Sequence, residues 1–171
     1  RNKIINEFDK LGYETVYKVL SAADFETPQD RKRCFFVAVR NDIMEKAGLN
    51  FMTLESEIYP EPKTPKHISI KSAIDDCKND PEQEKELFEY VQNGFQKKWI
   101  ELLEFNPTKH RKPSDPDFIE INPKRSMFNM IRPAPHLPSP TLTQRGQQMS
   151  VSGVFHYAKN RKLTIPELKR L

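Results

Sequence analysis

Cysteine is scarce in this chain of 171 residues: Cys34 and Cys77 are the two present. They form no Cys-x-x-Cys pair, and two distant thiols make no framework of the kind that staples small secreted domains. The four histidines, His67, His110, His136 and His156, lack metal-ligand spacing. Neither a metal nor a disulfide is expected. Cys34 stands in an apolar run, where a thiol behaves as a small buried hydrophobe. Long hydrophobic stretches are missing too. None approaches the roughly 20 residues that cross a bilayer, so no membrane partner is expected. Arg1 to Lys10 has no apolar core of secretory-leader length. The first residue is arginine, so the chain is expected to be a piece of something longer or a trimmed product, in a reducing, cytoplasmic setting. At this length it can bury one respectable core.

Charge is present but unevenly placed. The net charge of +4 hides a split: residues 1–105 carry 16 Lys/Arg against 20 Asp/Glu, a balance of −4, and residues 106–171 carry 12 against 4, a balance of +8. Such asymmetry points to a polyanionic partner on one half of the molecule. An ordinary solvated basic surface would look the same, so charge leaves both readings open.

Apolar spacing predicts a helix over 2–11 (Ile4, Ile5, Phe8, Leu11) closed by Gly12, then a strand over Tyr13–Leu20. A loop with Pro28 leads to Arg33–Val39. Within it Cys34–Val39 is continuously apolar, which predicts a strand covered on both faces. Asn41 and Asp42 are placed to cap a short helix ending at Gly48. Residues 51–66, with Pro60, Pro62 and Pro65, read as a loop, and Ile68–Cys77 as a short helix. Pro81–Glu104 is the longest helical pattern, its stripe of Leu87, Val91, Phe95, Trp99, Leu102 and Leu103 reading as core, with Gly94 weakening it. From Pro107 to Pro140 there are eight prolines and no clear period. Short strands are placed at 126–132 and 149–157. Thr164-Ile165-Pro166-Glu167 is a capping box that starts a final helix.

One stretch carries chemistry: Ala22-Ala23-Asp24-Phe25-Glu26-Thr27-Pro28-Gln29-Asp30-Arg31-Lys32-Arg33. In an extended chain alternate side chains share a side, so Gln29, Arg31 and Arg33 are expected together. Two guanidiniums offer fixed donors that suit phosphate oxygens or a base carbonyl. The competing reading is a charged strand end, salt-bridged to Asp24 and Asp30.

The pattern of Gly-Tyr, a strand, Ala-x-Asp-Phe-x-x-Pro-Gln-x-Arg-x-Arg and an apolar strand through Arg40-Asn41-Asp42 closely resembles the cytosine-5 DNA methyltransferases. Downstream, Arg161-Lys162-Leu163-Thr164-Ile165-Pro166-Glu167-Leu168 resembles the family's Arg-x-Leu-(Ser/Thr)-x-x-Glu block. Pro140-Thr141-Leu142-Thr143 resembles the threonine–leucine pair of its target-recognition domain. The resemblance covers 1–42 and 138–171, with 43–137 matching in position only. Ser21 and Glu26 stand where the family has Asn and Gly, so the loop before Pro28 is expected to take another path. The Pro-Cys nucleophile block, the Glu-Asn block and the Phe-x-Gly-x-Gly cofactor loop do not occur, and neither Cys34 nor Cys77 has the nucleophile's context.

The resemblance implies an α/β fold: the C-terminal strands of a Rossmann-like methyltransferase sheet plus a mixed, irregular target-recognition domain. Residues 1–50 would end the catalytic domain, 51–160 would hold a helical insert and the recognition domain, and 161–171 would return to the first. Such enzymes flip a cytosine out of double-stranded DNA, because its reacting atoms are inaccessible in the stack. A thiolate attacks C6, and C5 takes a methyl group from S-adenosylmethionine. By resemblance Arg33 contacts the flipped base at O2, Arg31 and Gln29 support the active-site loop, Thr141 contacts the DNA backbone, and Arg161 and Glu167 are structural. The cofactor and the nucleophile would belong to an N-terminal catalytic half, and this chain alone would be inactive.

Residue chemistry extends the resemblance to recognition. Thr143, Gln144, Arg145 and Gln147 follow the threonine–leucine pair, and Gln suits adenine and Arg guanine in the major groove. Gln144 and Arg145 are expected to include base-edge contacts, although most protein–DNA hydrogen bonds go to phosphate and sugar. Lys109, Arg111, Lys112, Lys124, Arg125 and Arg132 are expected as phosphate neighbours, or as plain surface charge. Ser150 and Ser152 flank a second candidate stretch. The leading reading is the DNA-recognising part of a bacterial restriction–modification enzyme. The alternatives are the DNA-binding subunit of a split methyltransferase, or a non-enzymatic DNA-binding module. The long insert and the basic recognition region favour DNA over the related transfer-RNA branch.

Overall fold

A computed structural model describes residues 2–63, 66–93, 97, 100–101, 103, 108–112, 114–121, 130–143 and 153–171. Among the described residues the architecture is mixed α/β with three two-stranded sheets. Helix α1 (Asn2–Lys10) ends where Gly12, at φ 79°, lets the chain turn back into strand β1 (Tyr13–Ser21). Strand β3 (Lys32–Arg40) pairs with β1 antiparallel, from Tyr13↔Arg40 to Ser21↔Lys32. Helix α2 (Asn41–Ala47) follows at once. Arg40 is its N-cap and makes no side-chain cap bond, while Asp42 pairs with Arg40 instead. The expected capping by Asn41 and Asp42 is therefore not what starts this helix.

One face of the β1–β3 pair is core. Val16 sits opposite Val37 and packs with Met44, Leu54 and Tyr59, flanked by Leu20 and Val39. Leu54 belongs to helix α3 (Phe51–Ile58), which falls inside the stretch read as a loop. The prolines follow that helix rather than interrupt it. Its start is set by Asn50, whose side chain accepts from the amides of Met52 and Thr53. The other expectation to fail is burial of β3 on both faces. Lys32 to Phe36 are exposed, and Cys34 with them. Among the described residues β3 has β1 as its sole strand neighbour, and Phe36 on its outer face stacks on Tyr17 with ring centroids 5.7 Å apart.

Two further clusters build the rest. Helix α4 (Ile70–Ile74), capped by Ser69, buries Ile70 and Ile74 against Val154 and Leu163. Helix α5 (Pro81–Asn93) buries Leu87 and Val91, and Val91 joins Ile100, Leu103, Phe118, Met130 and Phe155. Phe95, Trp99 and Leu102 of the expected stripe lie outside the described residues. Helix α6 (Pro116–Ile121) precedes β4 (Met130–Ile131), which pairs parallel with β6 (Gly153–Val154). These fall within the expected strands at 126–132 and 149–157 but are two residues each. Strand β2 (Gln29–Asp30) pairs parallel with β5 (Ser139–Pro140). Helix α7 (Ile165–Arg170) starts from the Thr164–Glu167 capping box.

Candidate functional site

Between β1 and β3 the chain makes a 3₁₀ turn, Ala22–Phe25, then passes Glu26 at φ 60° and ψ 22°. That is left-handed backbone, which costs an L-residue on the order of 1 kcal/mol and which glycine adopts freely. The loop was expected to take another path because glycine is replaced by glutamate. At this residue the backbone holds the conformation a glycine would hold.

The turn forms one side of a cavity of about 330 Å³, at the small end of the roughly 300–1,000 Å³ of ligand pockets. Leu20, Ala22, Phe25, Phe35 and Pro60 give it an apolar lining, and Ser21, Arg31 and Arg33 its polar one. The two arginines meet there as their spacing of two predicted. Arg31 donates to the Leu142 carbonyl at 3.4 Å and Arg33 to the Lys32 carbonyl at 2.7 Å. Both partners are neutral. Among the described residues no carboxylate lies within ion-pair distance of either guanidinium. The two carboxylates that sequence offered as partners are engaged elsewhere. Asp30 accepts from the Ser21 hydroxyl at 2.9 Å, and Asp24 lies 2.7 Å from the His67 ring. The salt-bridged reading of this strand end is thereby corrected.

Gln29 does not join them. It is buried in β2, and its amide donates to the Leu171 carbonyl at 3.1 Å. Alternation fails because Gln29 and Arg33 belong to different sheets, with Arg31 turning between them through an amide bond back to the Gln29 carbonyl.

The same edge is sewn to the segment carrying the threonine–leucine pair. The Ser139 amide donates to the Pro28 carbonyl at 2.8 Å, and the Thr141 hydroxyl to the Asp30 carbonyl at 2.9 Å. The Arg31–Leu142 bond and the parallel β2–β5 pairing add to these in joining 28–31 to 139–142. The Thr141 hydroxyl thus spends its proton on protein backbone and keeps only lone pairs for anything else. Thr143 and Lys112 are exposed. Arg125, Gln144, Arg145 and Gln147, with Lys124, Ser150 and Ser152, lie outside the described residues.

Two expected phosphate neighbours are interior. Arg111 is 7% exposed and bonds Asp115 at 2.7 Å and Asp117 at 2.5 Å. Arg132 is 4% exposed and donates to the carbonyls of Leu103, Ile100, His156 and Lys159 and to the Asn160 side chain. Burial lowers its pKa to about 10. Neither presents its charge to a polyanion. The Arg111–Asp115 spacing of four was a visible signal for the first; nothing local marked the second.

Arg161 and Glu167 form a buried bidentate pair, each nitrogen–oxygen distance 2.8 Å. Glu84 adds a second carboxylate to Arg161 at 2.5 Å, and Asn79 donates to Glu167 at 2.8 Å. Burial would raise the Glu167 carboxyl, but hydrogen bonds from Arg161 and the Thr164 amide outweigh it and hold it at about 2. His156, lowered to about 4 by burial and by Arg161, stays neutral, with Nδ1 accepting from the Ala158 and Lys159 amides. Asn79, Glu84 and His156 were not anticipated, being far from Arg161 or outside any motif. Among the described residues no cluster of His, Cys, Asp and Glu could hold a metal ion, and no helix is long and apolar enough to cross a membrane.

The family model for C-5 cytosine-specific DNA methylases matches residues 1–171. A type II methyltransferase of Haemophilus parahaemolyticus is 27% identical over 175 residues, covering 100% of this chain and 41% of that protein. One from Methanothermobacter thermautotrophicus is 36% identical over 92 residues, 54% of this chain and 24% of its own length. A third, from Fusobacterium nucleatum, is 36% identical over 77 residues, 44% of this chain and 20% of its own. The chain spans less than half the length of these relatives.

Proposed function

The chain belongs to the C-5 cytosine-specific DNA methylase family, and from that premise we propose that it is the C-terminal, DNA-reading portion of a DNA (cytosine-5) methyltransferase of restriction–modification type. The observation that carries the reading is the cavity beside β3, where Arg31 and Arg33 stand without a carboxylate partner among the described residues. A pyrimidine extruded from the duplex offers a flat apolar ring and a carbonyl acceptor. Phe25, Phe35 and Pro60 suit the ring. Arg33 donates to O2 of the base, and Arg31, held by the Leu142 carbonyl, supports the adjoining backbone and loop. Thr141, with lone pairs left, lies beside the DNA strand that carries the base, and Thr143, Gln144, Arg145 and Gln147 read the duplex. Lys112 and Arg125 contact phosphates. Gln29, Arg161 and Glu167 hold the frame.

The family uses S-adenosylmethionine, and the residues described here do not fit it. Its sulfonium is cationic, and the cavity presents two guanidiniums and no carboxylate. Gly12 and Gly48, at positive φ, each close a helix rather than open one. Cofactor and nucleophile are therefore assigned to an N-terminal catalytic half. Residues 1–50 would complete its Rossmann-like sheet, with the exposed outer face of β3 as the contact; 51–160 would be insert and recognition domain, and 161–171 the return helix. The setting would be cytoplasmic.

The test is methyl transfer to DNA from labelled S-adenosylmethionine. This chain alone should transfer none, and addition of the N-terminal half should restore sequence-specific transfer. Transfer by this chain alone would contradict the assignment.

A further inference from the structure

Asp24 and His67 come from separate stretches and meet beside the cavity that holds Arg31 and Arg33. His67 Nε2 lies 2.7 Å from Asp24 Oδ1. An ionised carboxylate only accepts, so this ring nitrogen carries the proton and donates. A second bond joins the same stretches: the Lys63 amide donates to the Asp24 carbonyl at 2.9 Å. Asp24 is thus gripped through side chain and backbone together by a part of the chain that lies outside every motif of the resemblance.

Both sides of this grip reach the cavity. Asp24 sits in the 3₁₀ turn between Ala22 and Phe25, which line it, and Pro60, three residues before Lys63, lines it from the other stretch. Tyr59 fixes that stretch at its near end. The residue is 5% exposed, and its hydroxyl lies 3.1 Å from the Val16 carbonyl and 3.0 Å from that of Phe35. The Tyr59 anchor sets where the second wall begins, and the His67–Asp24 clamp sets how far it stands from the first.

We infer that His67 is a positioning residue: through Asp24 it holds the Ala22–Phe25 turn and the Pro60 wall at the width that seats an extruded pyrimidine against Arg33. The inference rests on the target-base reading of this cavity. A partly exposed hydrogen-bonded pair adds little to global stability, so the effect of removing it is local and the protein still folds. A side chain that only decorated the surface would leave the cavity unchanged. A clamp on its wall changes how a base is held inside it.

The experiment uses the full-length enzyme with His67→Ala and with His67→Gln, which keeps a donor. Hydrogen exchange reads the clamp directly. In His67→Ala the Lys63 amide should exchange roughly tenfold faster or more, and the Leu54 amide in the core should not change. Fluorescence of pyrrolo-deoxycytidine, which keeps the pyrimidine O2 carbonyl, at the target position reads the seated base. Its emission in the complex should fall by at least about half in His67→Ala, at unchanged affinity for S-adenosylmethionine, and His67→Gln should restore both signals. An unchanged Lys63 amide would overturn the clamp. Faster exchange with an unaltered fluorescence signal would overturn its role in seating the base. If the unmutated enzyme gave neither methyl transfer nor a fluorescence change, the target-base reading itself would fall, and the inference with it.

Discussion

Arg161 and Glu167 face each other in the interior, two guanidinium nitrogens each 2.8 Å from a carboxylate oxygen, both side chains 2% exposed. The six-residue separation is bridged by the turn into α7, whose capping box uses the same carboxylate to accept from the Thr164 amide at 2.8 Å. One acid therefore serves an ion pair, a helix start and, through Asn79, the stretch before α5.

Removing Arg161 leaves Glu167 buried without its cation, which costs about 3–5 kcal/mol, whereas removing Glu167 leaves Arg161 paired with Glu84 and costs less. Glu167→Gln and Arg161→Met should each lower the urea midpoint accordingly. The double variant Arg161→Met/Glu167→Leu should be less destabilised than the sum of the two singles, because no lone charge remains. Strict additivity would show that the pair is not coupled.

The same cluster sets a pH dependence. Glu167 is depressed to about 2, so the stability it supplies is present above its ordinary value of 4.5 and is lost as pH falls from 4.5 towards 2. His156 is depressed to about 4, so the unfolded chain binds its proton first, and stability falls as pH drops from 6.5 towards 4. Buried Lys162, over the Phe155 ring at 4.0 Å, is lowered to about 7, which makes stability rise as pH climbs from 7 to 10.5. Urea midpoints across pH 3 to 10 (roughly the range in which these groups titrate) should show these slopes, and Lys162→Met should remove the alkaline one. A flat alkaline limb in the unmutated protein would contradict the lysine's assignment.

Glu26 gives a backbone test. Glu26→Gly relieves left-handed strain of about 1 kcal/mol and should raise the urea midpoint, while Glu26→Ala, which keeps the strain, should not. A gain from alanine would place the effect in the side chain instead.

Much of this frame can be read from sequence where the signal is local. Gly12 and Gly48 mark helix ends because positive φ favours glycine, and Thr164-x-x-Glu167 marks a helix start because both bonds close within one turn. The Arg31–Arg33 spacing places both at one cavity for the same reason of short range. What eludes the sequence is decided at long range. Gln29 is claimed by a carbonyl 142 residues away, Arg132 by carbonyls 24 to 32 residues away, and Asp24 by His67. Helix α3 hid behind three prolines, although Asn50 and Thr53 bore its cap.

In the reconstituted or full-length enzyme, Lys112→Ala should weaken DNA binding evenly across sequences and reduce the salt slope by about one. Arg145→Ala should instead change which sequences are methylated. Equal loss on every sequence for Arg145→Ala would assign it to backbone contact alone.

The most direct test is single-turnover methyl transfer by the full-length enzyme carrying Arg33→Ala. Loss of a preorganised donor aimed at the reacting base should slow transfer by roughly 100-fold or more, with DNA affinity within a few-fold of the unmutated enzyme. Transfer at the unmutated rate would contradict the placement of an extruded cytosine against Arg33.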